Sequence, residues 1–554
     1  MDTNCSSVDH EDSIVKDSRK KRLPVITVSS ILMLFFGTFY FYPVGKILVY
    51  AFRLNTLSDV FGSHSTWSVI WFTIWQATLS TFLSVIFGLI IANTLTKLSF
   101  RGKTFLRILT TIPFVMPTVV VGSAFLSVNR FLHLDGTILD LEGSSFGIIV
   151  AHVFFNTAIA ARIVGATWSQ IEAEQEVAAS TLGASPMKIF IHVTLPQLRS
   201  SILASSALAF LFTFTSFGVI LLLGGLNKAT IETEIWRYAT QRTDFDTAAA
   251  LGIAQLVIVV LMLLVNVRLR SKVILNDGIT KKKYYSKPRY NRLRVCMGAT
   301  FTLLFLGLPL LLLIEKSLQT SSGYSLQHYQ TIFTNSDAER FSVFAVREAI
   351  WNSIIYAGIA MVIATVIGLL AATLMAHKSS KVSKTADVLL LLPLGTSGVL
   401  IGFGVIAALH TSVLDFRSKW WIVPVAQAIL GIGFVARIVS TAIRNMDTDL
   451  RSAASTLGAS PQQILRKVEI PIISRSLVAG AMFAFAIAIG EFGATVFLAR
   501  PQRPTIPTTI FNLLGRPGES TYGQAMSLSV ILVLITAAVV TFLDRTGSVV
   551  GNEI

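Results

Sequence analysis

Hydrophobic residues in this chain fall in long unbroken runs separated by short clusters of charge. Hydrocarbon offers the backbone no hydrogen-bond partner, so a bilayer is crossed by helices of about 20 apolar residues that satisfy their own N–H and C=O groups. Runs of that kind occur at residues 24–45, 67–94, 104–128, 146–167, 200–223, 248–267, 295–315, 348–375, 386–409, 419–441, 475–498 and 524–543. The pattern predicts an all-α polytopic membrane protein with about 12 transmembrane helices. The first run follows RKKR at 19–22 and has no A-x-A cleavage site after it, which predicts an uncleaved anchor and a cytoplasmic N-terminus.

Composition narrows the class further. With 53% hydrophobic and 14% charged residues, neither an ordinary soluble domain nor a disordered chain fits. The formal charge of +16 would suit nucleic acid, but the basic residues gather at the ends of alternate spans, as the positive-inside rule expects. Lys97, Arg101, Lys103 and Arg107 lie between the second and third runs; Lys378, Lys381 and Lys384 lie between the eighth and ninth. The expected partner of this charge is therefore the lipid bilayer, with no nucleic acid. Asp135, Asp140 and Glu142 fall in a predicted outer loop, while Arg500, Arg503 and Arg516 run against the trend. Cys5 and Cys296 are the only cysteines, too few for a disulfide framework, and no metal site is expected.

The chain is also duplicated. AASTLGASP stands at 178–186 and again, unchanged, at 453–461. At the same offset of 275, ARIV at 161–164 meets ARIV at 436–439, Phe217-Gly218 meets Phe492-Gly493, and Thr230-Ile231 meets Thr505-Ile506. Upstream the offset drifts to 280, pairing Gly88 with Gly368, Pro113 with Pro393 and Gly122 with Gly402. Two six-span units in the same orientation follow from this spacing. The implied division is a tail at 1–22, a first unit at 23–268, a basic linker at 269–294, a second unit at 295–545 and a tail at 546–554. The linker, with KKK at 281–283, reads as a solvated tether or as a site for anionic lipid.

Each AASTLGASP copy follows the fourth span of its unit, in a loop expected on the cytoplasmic side. EVAASTL and RSAASTL are helix-forming, and Ser185-Pro186 and Ser460-Pro461 read as an N-cap with proline at the first helical position. Glycine thus separates two short helices. In the second of them Ile189, Phe190 and Val193 share a face, as do Ile464, Leu465 and Val468, and this apolar face is expected to meet a partner. Repeated small residues suggest close backbone packing around a fixed bend.

Here the sequence resembles the permease subunits of ATP-binding-cassette importers, whose signature loop reads E-A-A-x3-G-x9-I-x-L-P. This chain carries V-A-A-x3-G-x9-V-x-L-P ending at Pro196 and S-A-A-x3-G-x9-V-x-I-P ending at Pro471. The resemblance implies an ATPase-coupling loop at Ala178, Ala179, Gly183, Ala184, Pro186 and Pro196, repeated at Ala453, Ala454, Gly458, Ala459, Pro461 and Pro471. It implies as partners two ABC ATPase subunits in the cytoplasm and an external solute-binding protein, in a bacterial-type cytoplasmic membrane. The acid of the signature is replaced by Val177 and Ser452, with Glu176 one residue early in the first copy. A GxxxxGK[ST] phosphate loop does not occur, so the chain is not expected to be an enzyme; no cofactor is expected on it, and ATP belongs to the partner subunits.

The stretches AHVFFN at 151–156, SFGVILLLGG at 216–225 and AIGEFGATVF at 488–497 resemble the fused permeases of the thiamine and ferric-iron group. Polar residues inside spans are the default candidates for a pathway. They are His152 and Asn156 on one helical face, the repeat partner Gln427, and the repeat pair Ser216 and Glu491. The alternative for the first three is hydrogen bonding between helices; Glu491 is expected near a hydrated outer interface, about 30 Å along its helix. Arg162 and Arg437 read as snorkelling or structural, and Pro113, Pro117 and Pro393 as kinks that could gate. Aromatic residues such as Phe154, Phe155, Phe214 and Phe217 suit an organic cation, and a hard ferric ion would need oxygen-rich ligands that the spans lack, so thiamine is expected over iron. An ion-coupled secondary transporter is the rival of another class, with the coupling carboxylate at mid-membrane missing.

Overall fold

The computed structural model describes residues 27–53, 56–98, 100–171, 173–225, 228–274, 292–333, 346–376, 393, 395–409, 416, 419–446 and 448–545. The expected terminal tails, KKK at 281–283, Cys5, and Lys378, Lys381 and Lys384 lie outside the described residues.

In the first half the helices are α1 (Thr27–Ala51), α2 (His64–Lys97), α3 (Lys103–Val115), α4 (Thr118–Phe131), α5 (Ser145–Trp168), α6 (Ala173–Thr181), α7 (Pro186–Gln197), α8 (Arg199–Phe214), α9 (Gly218–Leu223), α10 (Ile231–Trp236) and α11 (Phe245–Ile274). The second half repeats the order as α12 (Val295–Leu318), α13 (Val346–Met375), α14 (Gly398–Leu409), α15 (Ile422–Arg444), α16 (Thr448–Thr456), α17 (Pro461–Ile464), α18 (Ile470–Gly490), α19 (Thr495–Leu498), α20 (Ile506–Leu514) and α21 (Glu519–Arg545). Among the described residues nine helices are long and apolar enough to cross a membrane, or eleven if each bent pair counts as one, and part of α14 is a shorter apolar helix.

The difference from twelve continuous spans has a local cause. The third run does not kink but breaks: α3 and α4 meet at 114° across Met116-Pro117, since proline lacks the N–H that a continuing helix needs and disfavours helical backbone in the residue before it. The fifth run likewise stops at Thr215 and restarts at Gly218, and the eleventh stops at Gly490 and restarts at Thr495. The described part of the ninth run begins its helix at Gly398. Part of the expected linker is helical, because α11 continues to Ile274.

Matching glycines set the packing within each half. A Cβ on Gly88 would lie 2.5 Å from the Ala160 Cβ and 2.9 Å from the Ala161 nitrogen; one on Gly368 would lie 2.7 Å from the Val435 Cβ. So α2 lies backbone-close on α5, and α13 on α15, through repeat-equivalent positions. The short helices α10 and α20 are tied down in the same way twice: the Ile231 N–H donates to Thr73 Oγ1 at 3.1 Å, and the Ile506 N–H to Ser353 Oγ at 2.7 Å. The halves clasp each other through α1, whose Tyr40 hydroxyl lies 2.6 Å from Thr396 Oγ1 beside α14. On the outer loop, Asp140 accepts from Gly136 N and Glu142 N and from Asn129 Nδ2, and these bonds hold its carboxyl below the usual carboxylate range.

Gly88→Val or Gly368→Val should destabilise the fold by about 1–3 kcal/mol or more through overpacking. Membrane abundance and the melting midpoint in detergent are expected to fall in both, while Gly358→Val, where a Cβ meets nothing within 4 Å, stays near wild type.

Candidate functional site: paired loops and a cavity between the halves

The two AASTLGASP loops fold alike. Each first helix ends in the same C-cap: Ala184 N donates to Ala179 O at 3.1 Å and Ala459 N to Ala454 O at 3.0 Å, with Gly183 at φ 82° and Gly458 at φ 79°. That left-handed backbone is why glycine is there. The expectation of close packing at this bend needs correction, since a Cβ on either glycine would meet nothing within 4 Å. Ser185 and Ser460 cap the second helix, their hydroxyls accepting from Lys188 N and Gln463 N. Ala178, Gly183 and Pro186 are exposed, Ala179, Ala184 and Pro196 half-buried; Ala453, Gly458 and Pro471 are exposed, Ala454 and Ala459 half-buried.

The apolar face expected to meet a partner is half-buried in the first loop: Ile189, Phe190 and Val193 are each partly covered, and Phe190 packs against Trp168 at 6.0 Å between ring centroids. What the first loop presents outward is Leu182, 88% exposed, with Met187, Ile191 and Val177; the second presents Leu457, 87% exposed, with Leu450. The displaced acid is used internally: Glu176 Oε1 lies 3.0 Å from Lys97 Nζ and accepts from Thr194 Oγ1 at 3.1 Å, fastening the loop to the end of α2.

Between the halves lies a cavity of about 250 Å³, walled by the four breaks in the spans. Met116, Pro117 and Thr118 come from the third span, Ser216 and Phe217 from the fifth, Thr396, Ser397 and Gly398 from the ninth, and Glu491 and Phe492 from the eleventh. The breaks interlock. A Cβ on Gly218 would lie 2.6 Å from Thr118 Oγ1, one on Gly493 2.8 Å from Val399 N, and one on Gly490 2.7 Å from a Pro117 side-chain carbon. Sequence reasoning did not reach this arrangement, because it is set by which interruptions meet in space.

An aromatic square stands where the spans break, with two of its rings, Phe217 and Phe492, on the cavity wall. Phe217 and Phe492 lie 5.3 Å apart, Phe217 and Trp236 6.0 Å, Phe492 and Phe511 5.6 Å, and Trp236 and Phe511 6.1 Å. Both pairs obey the 275-residue offset, a signal in the sequence that could have found them. From this square the wall runs back through Phe212 on α8 and Ile487 and Phe483 on α18, toward the loops.

The candidate pathway residues separate into two groups. Ser216 and Glu491 line the cavity. His152, Asn156 and Gln427 do not; they are buried between helices, and Phe155 and Leu430 line the cavity from the same spans instead. His152 Nδ1 lies 3.1 Å from Gln76 Oε1, and Asn156 Nδ2 donates to Thr213 Oγ1 at 2.8 Å and to His152 O at 3.0 Å. Gly431, the counterpart of Asn156, faces Ala484 too closely for a larger side chain. Glu491 is not at a hydrated interface as expected: it is 9% exposed, and its carboxylate caps α19 by accepting from Ala494 N at 2.8 Å and from Thr495 N and Thr495 Oγ1 at 3.1 Å. Glu232 on α10, which sequence reasoning did not single out, is fully buried and accepts from Gln255, within electrostatic reach of Ser397 and Glu491. Arg437 is exposed, and Arg162 stands 5.9 Å from the Phe114 ring.

The sequence profile of the family described as binding-protein-dependent transport system inner membrane component matches residues 84–275 and 364–549, once in each half. The chain belongs to that family. It is similar to the thiamine transport system permease protein ThiP of Salmonella typhimurium, 26% identical over 495 residues, 86% of this chain and 89% of the relative. The ThiP proteins of Escherichia coli, at 27% over 86% of this chain and 89% of the relative, and of Brucella abortus, at 26% over 87% and 88%, are similar to it as well. The protein is thus a multi-pass membrane transport subunit, the fused two-half permease of an ABC importer, and the ion-coupled reading is set aside.

His152→Leu and Asn156→Leu should each cost about 1–2 kcal/mol of helix association. Abundance and uptake are expected to fall together, with uptake per folded molecule unchanged. Lys97→Glu and Glu176→Lys should each lower uptake about fivefold, the equivalent of ~1 kcal/mol for a partly buried ion pair, and the double reversal should regain most of it.

Proposed function

We propose that the chain forms the membrane pathway of a thiamine importer, driven by two ABC ATPase subunits seated on the paired loops and fed by an external binding protein. The observation that carries this reading is the cavity between the halves, bounded by the span breaks and lined by the aromatic rings of Phe217 and Phe492. The loops, and with them the N-terminus, then face the cytoplasm, in keeping with Lys97, Arg101, Lys103 and Arg107 at the same end as the first loop. Exposed Leu182 and Leu457 supply equivalent apolar contacts for two identical ATPases, and a pseudo-twofold partner accounts for the unchanged repeat. ATP is hydrolysed on those subunits, and this chain binds no cofactor of its own.

Thiamine is the solute this pathway suits. The cavity wall is rich in phenylalanine and carries a single carboxylate among its described residues, which fits an organic cation with aromatic rings. A ferric ion would call for several oxygen ligands at one point. The curated relatives named as thiamine permeases support the same solute.

Uptake of labelled thiamine should disappear on deletion of the gene, with labelled ferric iron uptake unchanged; the reverse result would replace thiamine by iron. Gly183→Asp and Gly458→Asp, which put a side chain on left-handed backbone and a charge in the proposed ATPase contact, should abolish uptake while the chain stays in the membrane. Normal uptake and ATPase co-purification in both would sink the coupling assignment.

A further inference from the structure

Among the described residues Glu491 is the one formally charged side chain on the cavity wall. A buried carboxylate in a membrane protein is costly unless a counter-charge or a ligand meets it. Here the groups that hold it are dipoles: two backbone N–H groups and the Thr495 hydroxyl, and no cationic side chain forms an ion pair with it among the described residues. A cationic ligand in the cavity would be the counter-charge this carboxylate lacks, and the two would attract. In a medium of low dielectric that attraction is several times stronger than in water.

A second observation points to a ligand at the same place. Ser216, the repeat equivalent of Glu491, is 3% exposed and lines the cavity, and its Oγ has no hydrogen-bond partner. Buried hydroxyls are nearly always satisfied, so an orphan on a cavity wall marks a position where a passing molecule can bond. The aromatic side chains of Phe217 and Phe492, next in sequence to these two residues, line the same cavity at 5.3 Å from each other. A carboxylate, an unpartnered hydroxyl and aromatic rings, with no Lys, Arg or His among the described residues of the wall, make a cation-selective combination.

We propose that the part of the cavity wall formed by these four residues is a binding subsite for an organic cation, in which Glu491 attracts the charged ring, Ser216 hydrogen-bonds a polar substituent and Phe217 and Phe492 bear on the ring. The subsite rests on the reading of this cavity as the pathway. It adds that the permease itself selects by charge, beyond any choice made by the external binding protein. Repeat equivalence further implies that the charge can be moved across the axis without loss of selectivity.

The test measures charge selectivity directly, independent of the solute. In the full chain assembled with its ATPases, with Cys5 and Cys296 replaced by serine, Thr215→Cys places a thiol on the cavity wall. Its reaction rates with cationic and anionic methanethiosulfonate reagents are then compared. The rate ratio, corrected by that for a free thiol, is expected to favour the cation by tenfold or more, to fall close to one in Glu491→Gln, and to return in the double variant Ser216→Glu with Glu491→Gln. Return in the double variant separates attraction by charge from the capping role of Glu491, which the second substitution cannot restore. An unchanged ratio in Glu491→Gln, or no return in the double variant, overturns the proposal, and a thiol that neither reagent reaches overturns it together with the pathway reading. A high ratio in a complex that takes up no thiamine would leave the subsite standing and remove only the identity of the solute.

Discussion

Everything in this structure follows from the need to satisfy backbone hydrogen bonds where water is scarce. Unbroken helices do so by themselves, and most of the chain is built that way. Irregular backbone at membrane depth is tolerated only where protein covers it or where it borders a cavity. The interruptions at Met116-Pro117, Thr215–Phe217, Thr396-Ser397 and Glu491–Gly493 meet one another around a single space, and each is repaired locally. Pro117 O accepts from Val120 N and Val121 N, the Ser397 hydroxyl accepts from Leu400 N, and the Glu491 carboxylate accepts from Ala494 N and Thr495 N.

Those repairs also supply the chemistry. A helix end left open inside a membrane attracts a capping group, and in the eleventh span that group is a carboxylate facing the cavity. Its first-half counterpart is Ser216, so the two sides of the space differ in charge while keeping the same backbone. Duplication therefore fixed the shape, and divergence between the copies created the polarity. The same asymmetry appears at the loops, where Glu176 pairs with Lys97 in the first half and the equivalent position of the second is Arg451.

The loops and the cavity are joined by short mechanical paths. The first loop is fastened by Glu176 to the end of α2 and by Phe190 to Trp168 at the end of α5. Helix α8 leaves the loop and runs 16 residues to the break at Thr215, a rise of about 24 Å. A shift of the loop thus bears on Ser216 and Phe217 through one rigid helix, and on Glu491 and Phe492 through α18 in the other half.

Much of this was legible in the sequence. Long apolar runs gave the membrane class, the repeat offset gave two equivalent halves, and glycine followed by Ser-Pro gave the helix–bend–helix loop, because each depends on backbone properties that are local. Burial is not local, and there the sequence misled: His152 and Asn156 spend their polarity on neighbouring helices, and Glu491 looked interfacial and lines a cavity. The exposure of Leu182 and the burial of Glu232 were not legible in it. What the sequence by itself determined was the helical membrane class, its repeat and the prolines at which a helix is disturbed. Only the tertiary structure decided which breaks meet, since that depends on how two copies of one unit pack about their shared axis, and no residue carries that information alone.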